Sequence, residues 1–324
     1  MRHNIQRATV CGIVFAVAFS FVTCFDHPAS AQGAKGKQNT KSKKQDDEEE
    51  LPEMETLTLQ TKDGVSLSVN YLASNNAKKA PAVILVHDWD GSSRDFLDDE
   101  GIAKDFQKRG YAVIVPDLRG HGKSTTRGEK ELDTKKFKRR DFELMMEDIE
   151  TCKRYLKEQN NEGKLNIELL SILAVGKSSV LAINWSITDW SFPPFKGKKQ
   201  GQDVKSIILL SPEKSWKGLS ITKSIKAPVI SGKSGKALPM FVLTGDGNAS
   251  LARQTKELKR LLERSRGEEL AKESLTITVG KTKIQGAEFT GSPKARDMIH
   301  QFIELHILSK AADMRWQNRA KDQN

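Results

Sequence analysis

The chain has 324 residues, 37% of them apolar and 29% charged, and carries a formal net charge of +11. That length fits one large α/β domain or two small ones, and the apolar share is low for a packed protein because the deficit gathers at the two ends. The basic excess favours anionic surfaces. The lysines are scattered and no nucleic-acid motif is present, which argues against nucleic acid and leaves a soluble basic surface with at most weak association with an anionic envelope surface.

Residues 1–31 read as a signal peptide: Arg2 and Arg7 start it, residues 10–25 form an apolar core, and Ala29-Ser30-Ala31 offers a cleavage site. The core is shorter than the about 20 apolar residues of a membrane span. Asp26, His27 and Pro28 then interrupt it, so export to the periplasm, the envelope or beyond is expected. Cys11 and Cys24 lie in this leader, leaving Cys152 and no intramolecular disulfide. The leader's net +1 (Arg2 and Arg7 against Asp26) leaves +10 on the exported chain. Residues 32–52 are lysines followed by an acidic run, too polar to offset ordering entropy, and read as a disordered linker.

Folding is expected over residues 53–308. Residues 55–60 and 65–71 alternate around Lys62-Asp63-Gly64, which predicts a hairpin. Residues 81–87 form an apolar run buried on both faces, followed by His87-Asp88-Trp89-Asp90-Gly91-Ser92-Ser93. A helix over 96–108 ends at Gly110, and a strand over 111–116 leads into Asp117-Leu118-Arg119-Gly120-His121-Gly122-Lys123-Ser124. Further helices are predicted at 141–159, 179–186, 251–264 and 295–308, and further strands at 169–175, 204–211, 239–244 and 275–284. The inserted segments 190–202 and 213–238 could each line a cleft. The tail, 309–324, is polar and predicted to fray.

Two readings compete at Gly176-Lys177-Ser178, where an apolar strand gives way to a helix. A phosphate loop needs a second glycine five residues before Gly176. Ser171 stands there, and 172–175 are strand material, so that reading fails. The other reading is a strand-turn-helix nucleophile at Ser178. No Cys/His spacing suits zinc and the acidic run 46–50 lacks a calcium loop's alternation and glycine, so no metal and no cofactor is expected.

With its hairpin, its alternating strands and helices, the segments His87-Asp88-Trp89-Asp90-Gly91 and Asp117 to Ser124, and the turn at Ser178, the chain resembles the α/β-hydrolase superfamily. The closest likeness is to its small esterase, lipase and serine-aminopeptidase members. The resemblance implies a mostly parallel central sheet with helices on both faces and an antiparallel hairpin at its start. It makes Ser178 the nucleophile. The backbone N–H of Ser179, with one from Asp88 or Trp89, would form the oxyanion hole, and His87 and Gly91 would be structural residues of their loop.

Departures from the family pattern are equally specific. Val180 stands where the last glycine of Gly-x-Ser-x-Gly belongs. Asn248 replaces the acid after the strand 239–244, leaving Asp246, or Glu213 after the preceding strand, as candidate acid. The window 284–293, where the general base belongs, holds no histidine. Of the six histidines, His3 and His27 lie in the leader, His87 and His121 in early loops, and His300 and His306 inside the last helix. A serine hydroxyl stays a poor nucleophile until a positioned base takes its proton. Lys177 is a minor candidate for that task. Two functions follow. One is an exported hydrolase-fold protein that has lost turnover and keeps a binding or envelope role. The other is a carboxylic-ester or amide hydrolase using Ser178 with a non-standard base. The first fits the missing partners better.

Overall fold

The computed structural model describes residues 50–196, 198–233 and 235–320. The expected signal peptide and all but the last three residues of the expected linker lie outside them. Twelve strands and eight α-helices follow in order along the described residues. β1 (Met54–Gln60) and β2 (Val65–Leu72) form the predicted hairpin, with Met54 opposite Leu72 and Gln60 opposite Ser66. Its turn closes through the Gly64 N–H donating to the Thr61 carbonyl, and Gly64 takes a φ of +85°, a conformation that costs glycine little.

The parallel core then builds outward. β3 (Ala82–Val86), α1 (Ile102–Lys108) and β4 (Ala112–Pro116) make the first crossover unit. The short pair β5 (Thr126–Arg127) and β6 (Lys130–Glu131) extends the sheet beyond β2. Next come α2 (Arg139–Asn161), β7 (Leu170–Val175), α3 (Ser178–Ser191) and β8 (Val204–Leu210). The second insertion folds into the hairpin β9 (Ser215–Trp216) and β10 (Leu219–Ser220), with the single turns α4 (Ile221–Ser224) and α5 (Pro228–Ser231). β11 (Met240–Gly245), α6 (Ala249–Arg266), α7 (Glu268–Ser274), β12 (Leu275–Gly280) and α8 (Pro293–His306) complete the domain. The main sheet runs β12-β11-β8-β7-β3-β4-β2-β5-β6, with β1 paired to β2. From β12 to β4 every pairing is parallel, and from β4 onward every pairing is antiparallel.

Every residue of β3, β4, β7 and β11 is buried, as expected of strands covered on both faces. Ala82, Ile84 and Val86 point to the face packed by Met145, Ile149 and Leu156 of α2, Val180 and Trp185 of α3, and Leu258 and Leu262 of α6. Val83 and Leu85 point to the opposite face, where Ile102 and Phe106 of α1 meet Ile299, Phe302 and Ile303 of α8. Each such aliphatic or aromatic side chain contributes on the order of 2 kcal/mol by leaving water, so a one-residue slip of a central strand is strongly disfavoured.

Two expectations change. The helix expected over 96–108 is a 3-10 turn, Ser93–Phe96, and then α1, because Gly101 packs so close to the backbone of Phe96 and Asp98 that no Cβ fits. The polar tail is docked through residue 319: Trp316 Nε1–H donates to the Asn160 carbonyl at 3.0 Å, and the Arg319 guanidinium binds Asp203 at 2.5 Å and Glu168 at 3.2 Å. Buried acids on the domain, invisible to composition, hold it. Among the described residues, no helix is long and apolar enough to cross a membrane.

Candidate functional site

β7 delivers the chain to the carboxyl edge of the sheet, and the turn that follows is centred on Gly176, two residues before Ser178. Gly176 has a φ of +54°, its N–H donates to the Leu210 carbonyl at 2.9 Å, and its carbonyl accepts from Glu213 N–H at 3.2 Å. Lys177 has ordinary right-handed helical angles and caps α3, so Ser178 is already the first helical residue. Its hydroxyl is fully buried and has no hydrogen-bond partner, and Ser179 is in the same state. The residue at the strained tip of the elbow has no side chain.

Asp88 occupies the space above that tip. A Cβ built on Gly176 would collide with all three terminal atoms of the Asp88 carboxylate. Asp88 Oδ1 accepts two backbone hydrogen bonds, 2.8 Å from Lys177 N–H and 2.7 Å from Trp89 N–H. These are the N–H of the residue after the elbow tip and an N–H of the β3–α1 loop, the pair of donors that in a hydrolase elbow receive the oxyanion. Here a carboxylate of the chain itself holds both. Burial raises the Asp88 pKa above the usual carboxylate range, opposed by these two hydrogen bonds and by the Lys177 charge. Ser179 N–H is the third candidate donor and points back to the Gly176 carbonyl at 3.3 Å.

Neither His87 nor Lys177 is free to act as a base at the tip. His87 is fully buried; Leu118 N–H donates to its Nε2 at 2.9 Å, which leaves the proton on Nδ1, and Nδ1–H donates to the Asp88 carbonyl at 2.6 Å. Burial pushes its pKa down to about 4, so the ring is neutral and both nitrogens are engaged. Lys177 Nζ pairs with Asp90 at 2.5 Å, and that hydrogen bond raises its pKa, so the amine keeps its proton. His300 is bonded to Asp105 of α1, on the other side of the sheet. Within the window 284–293 the side chain brought to the strand ends is Gln285: Ser211 Oγ–H donates to its Oε1 at 2.9 Å, and its Nε2–H donates to the Gly245 carbonyl at 2.8 Å. An amide held at both ends does not take a proton.

The acid candidates are also otherwise engaged. Asp246 is exposed and accepts from Thr282 N–H at 3.0 Å, tying the β11 and β12 ends together, while Asn248 caps α6 through the N–H groups of Ser250 and Leu251. Glu213 lies near the elbow, with its pKa raised by burial, and has no imidazole to orient. Gly91 takes part in the loop turn, its N–H donating to the Asp88 carbonyl at 3.0 Å. Among the described residues, no group of three or more His, Cys, Asp and Glu could hold a metal ion.

The segment 117–124 is a lock for the turn after β4. Asp117 accepts from Ser93 N–H and Lys123 N–H at 2.9 Å each, and Ser124 Oγ–H returns to the Asp117 carbonyl. Arg119 is buried between Asp148 of α2 and Asp63 of the hairpin turn, both at 2.7 Å. Above the elbow, Trp89 packs edge to face with His121 at 4.4 Å and against Phe142 and Trp216 at 5.2 and 4.9 Å. Trp216 comes from the second insertion, which therefore roofs the elbow with side chains. The first insertion leaves α3 at the opposite edge of the sheet, where Trp190 Nε1–H donates to the Val204 carbonyl at the start of β8.

The tip position of Gly176, the carboxylate contacts of Asp88 and the placement of Gln285 were not read from the sequence. One signal pointed to the first: Ala174-Val175-Gly176-Lys177-Ser178 places small residues two positions on either side of Gly176, the spacing that glycines keep around an elbow nucleophile. In that register Val180 lies outside the motif, in the core.

A family profile described as "alpha/beta hydrolase fold" matches residues 81–167, the stretch from β3 to just beyond α2. Among solved structures, an esterase of Pyrococcus furiosus is similar, with a TM-score of 0.54 and 16% identity over 79% of this chain and 91% of that one. A dienelactone hydrolase of Anabaena variabilis gives 0.53 and 13% identity over 80% and 99%. An esterase of Rhizomucor miehei gives 0.53 and 15% identity over 81% and 86%. No curated protein sequence matches. By the profile match in its first half and by its architecture throughout, the chain is an α/β-hydrolase-fold protein.

Proposed function

We propose that this is a hydrolase-fold protein without turnover, exported by its leader and acting in the envelope by binding. The observation that supports it most is the Asp88 carboxylate on the N–H groups of Trp89 and Lys177, above a tip residue that has no side chain. An acyl-transfer site needs a nucleophile at the tip, free donors for the oxyanion and a base within hydrogen-bond reach. At this elbow Gly176 stands at the tip and Asp88 holds the two donors, while the loop after β12, where the base belongs, offers Gln285 bonded to Ser211 and Gly245, and Trp89 packs against Trp216 of the second insertion. Binding is thereby assigned to the surface of the domain, in keeping with its basic charge.

The competing reading is an ester or amide hydrolase acting through Ser178. The test is labelling of the purified chain with a fluorophosphonate together with turnover of short-chain nitrophenyl esters. No adduct and no turnover above the rate of Ser178→Ala is expected. An adduct on Ser178, or turnover that Ser178→Ala abolishes, would overturn the proposal.

A further inference from the structure

The amino end of the sheet holds a lysine that is not needed to balance the charges around it. Lys205 of β8 is only 16% exposed at its side chain, and it lines a cavity of about 580 Å³ between β8, Trp190 of α3, Ser274 of α7 and the docked tail. Glu168 and Asp203 are the carboxylates beside it, and several cations share them. Arg319 binds Asp203 at 2.5 Å and Glu168 at 3.2 Å, and Lys199 binds Glu168 at 2.5 Å and Asp203 at 3.1 Å. Lys153 stands 3.8 Å from Asp203 as well. Lys205 reaches Glu168 at 3.5 Å, and its shorter bond goes to a neutral acceptor, the Gln202 carbonyl at 2.5 Å.

Two carboxylates do not balance the cations gathered on them. A guanidinium keeps its proton, so the charge least supported is that of the amine with the weakest carboxylate contact, which is Lys205. Burial, together with the like charge of Lys199, pushes its pKa down to about 8, against the pull of Glu168 and Asp203. The facing walls carry both signs: Glu273 of α7 and Asp313 of the tail stand with Lys236 and Lys310, beside His306 of α8, whose pKa burial lowers. Such a mixture does not make an anion site. Leu238, Ile307 and the Trp190 ring, whose centre is 5.6 Å from Lys205 Nζ, give the cavity an apolar side. A desolvated amine beside a second cation and an apolar wall is suited to a neutral electrophile, as in lysines that form imines.

We propose that Lys205 is a nucleophilic amine that takes an aldehyde with an apolar body as an imine in this cavity. The unprotonated Nζ adds to the carbonyl carbon while one of its protons passes to the carbonyl oxygen. The hydroxyl so formed leaves as water with the second nitrogen proton, so amine and aldehyde give imine and water with no change of oxidation state. The site goes beyond the surface-binding reading and does not depend on the elbow. The test is trapping of the full chain with benzaldehyde and cyanoborohydride over a range of pH, followed by peptide mapping, with the exposed Lys310 on the same cavity as internal reference. Lys205 is expected to be labelled about tenfold or more faster than Lys310 at pH 7, where about a tenth of it is unprotonated against less than about one part in a thousand of an ordinary lysine. Lys199→Met removes the competing cation, so the midpoint of the Lys205 pH–rate curve should rise and labelling at pH 7 should slow several-fold. Glu168→Gln should move that midpoint down. Labelling of Lys205 no faster than of Lys310, or a midpoint unmoved in both variants, would overturn the proposal, and the comparison with Lys310 in the unsubstituted chain decides it even where a variant does not fold. A fluorophosphonate adduct on Ser178 would overturn the elbow reading and leave these results unaffected.

Discussion

The two ends of the central sheet are built on opposite plans. At the carboxyl end, where this fold presents its chemistry, the main donors and acceptors other than the Ser178 and Ser179 hydroxyls are held inside the chain: the donors of Trp89 and Lys177 hold Asp88, His87 holds Leu118 and the Asp88 carbonyl, and Gln285 spans Ser211 and Gly245. At the amino end, a buried ion network of Lys153, Asp189, Asp203, Glu168, Lys199 and Arg319 supports a loop that exposes two phenylalanines. The polar groups of the first end are used up in making it rigid. Those of the second anchor a loop that leaves Phe192 and Phe195 in water. A protein that binds through its surface and performs no acyl transfer would distribute its groups in this way.

The largest effect that would sharpen the contrast lies at the amino end. Lys153 is nearly buried, 3.0 Å from Asp189 and 2.9 Å from Glu150. Burial disfavours its charge, yet Asp189, Glu150 and Asp203 together raise its pKa. Lys153→Met would leave Asp189 and Asp203 buried without that cation, and denaturant unfolding should show a loss of about 3–5 kcal/mol. A loss below about 1 kcal/mol would mean that the network does not carry the amino end.

Next comes a pH dependence that belongs to the carboxyl end. His87 in the native state takes a proton only near pH 4, whereas the unfolded chain takes it from about 6.5. The native state therefore binds fewer protons across that window. Its contribution is complete above pH 6.5 and lost as pH falls toward 4, up to about 3 kcal/mol. Asp88, raised by burial, acts the other way and recovers some stability as it protonates. Titration of the His87 ring by NMR should give a midpoint near 4, and a midpoint near 6.5 would show the ring open to water and the elbow less closed than described.

A third experiment reopens the elbow. Gly176→Ser combines a left-handed side chain, costing about 1–2 kcal/mol, with overpacking against Asp88, costing about 1–3 kcal/mol. Asp88→Gly removes the obstacle, so the double variant should be more stable than the sum of the single effects by about 1 kcal/mol or more. Simple additivity would show that Asp88 and position 176 do not share one space. Esterase turnover is not expected even in the double variant, because Gln285 supplies no base.

Most of the fold was legible because strands buried on both faces leave unbroken apolar runs, as in residues 82–86 and 207–210, and α2 and α8 keep one apolar face. Segment 117–124 closes partly at sequence-local range, with Ser124 Oγ–H donating to the Asp117 carbonyl. The register of the elbow was harder to read. Ser178 follows a glycine and precedes a helix, as a nucleophile would, and only the left-handed angle at Gly176 separates the two alignments. Asp88 was expected to lend its backbone, whereas it lends its carboxylate to donors one and 89 positions away, the second a contact that no periodicity encodes. The docked tail depends on Glu168 and Asp203 in the same long-range way.

The smallest expected effect on stability separates the two ends most cleanly. Phe195 makes no contact that the core needs: its ring is 63% exposed, and the bridge to Lys198 uses only its backbone. Phe195→Ser should leave the unfolding free energy within about 0.5 kcal/mol of the parent, as substitutions outside structural features do. Trp216 is 7% exposed against Trp89 and Phe142, so Trp216→Ser in the roof should cost about 3 kcal/mol or more by the measure of aromatic deletions from cores. The paired measurement asks whether each end's aromatics serve the fold or a partner. A Phe195→Ser loss comparable to that of Trp216→Ser would make the exposed loop one more part of the fold, and the two ends would no longer differ in kind.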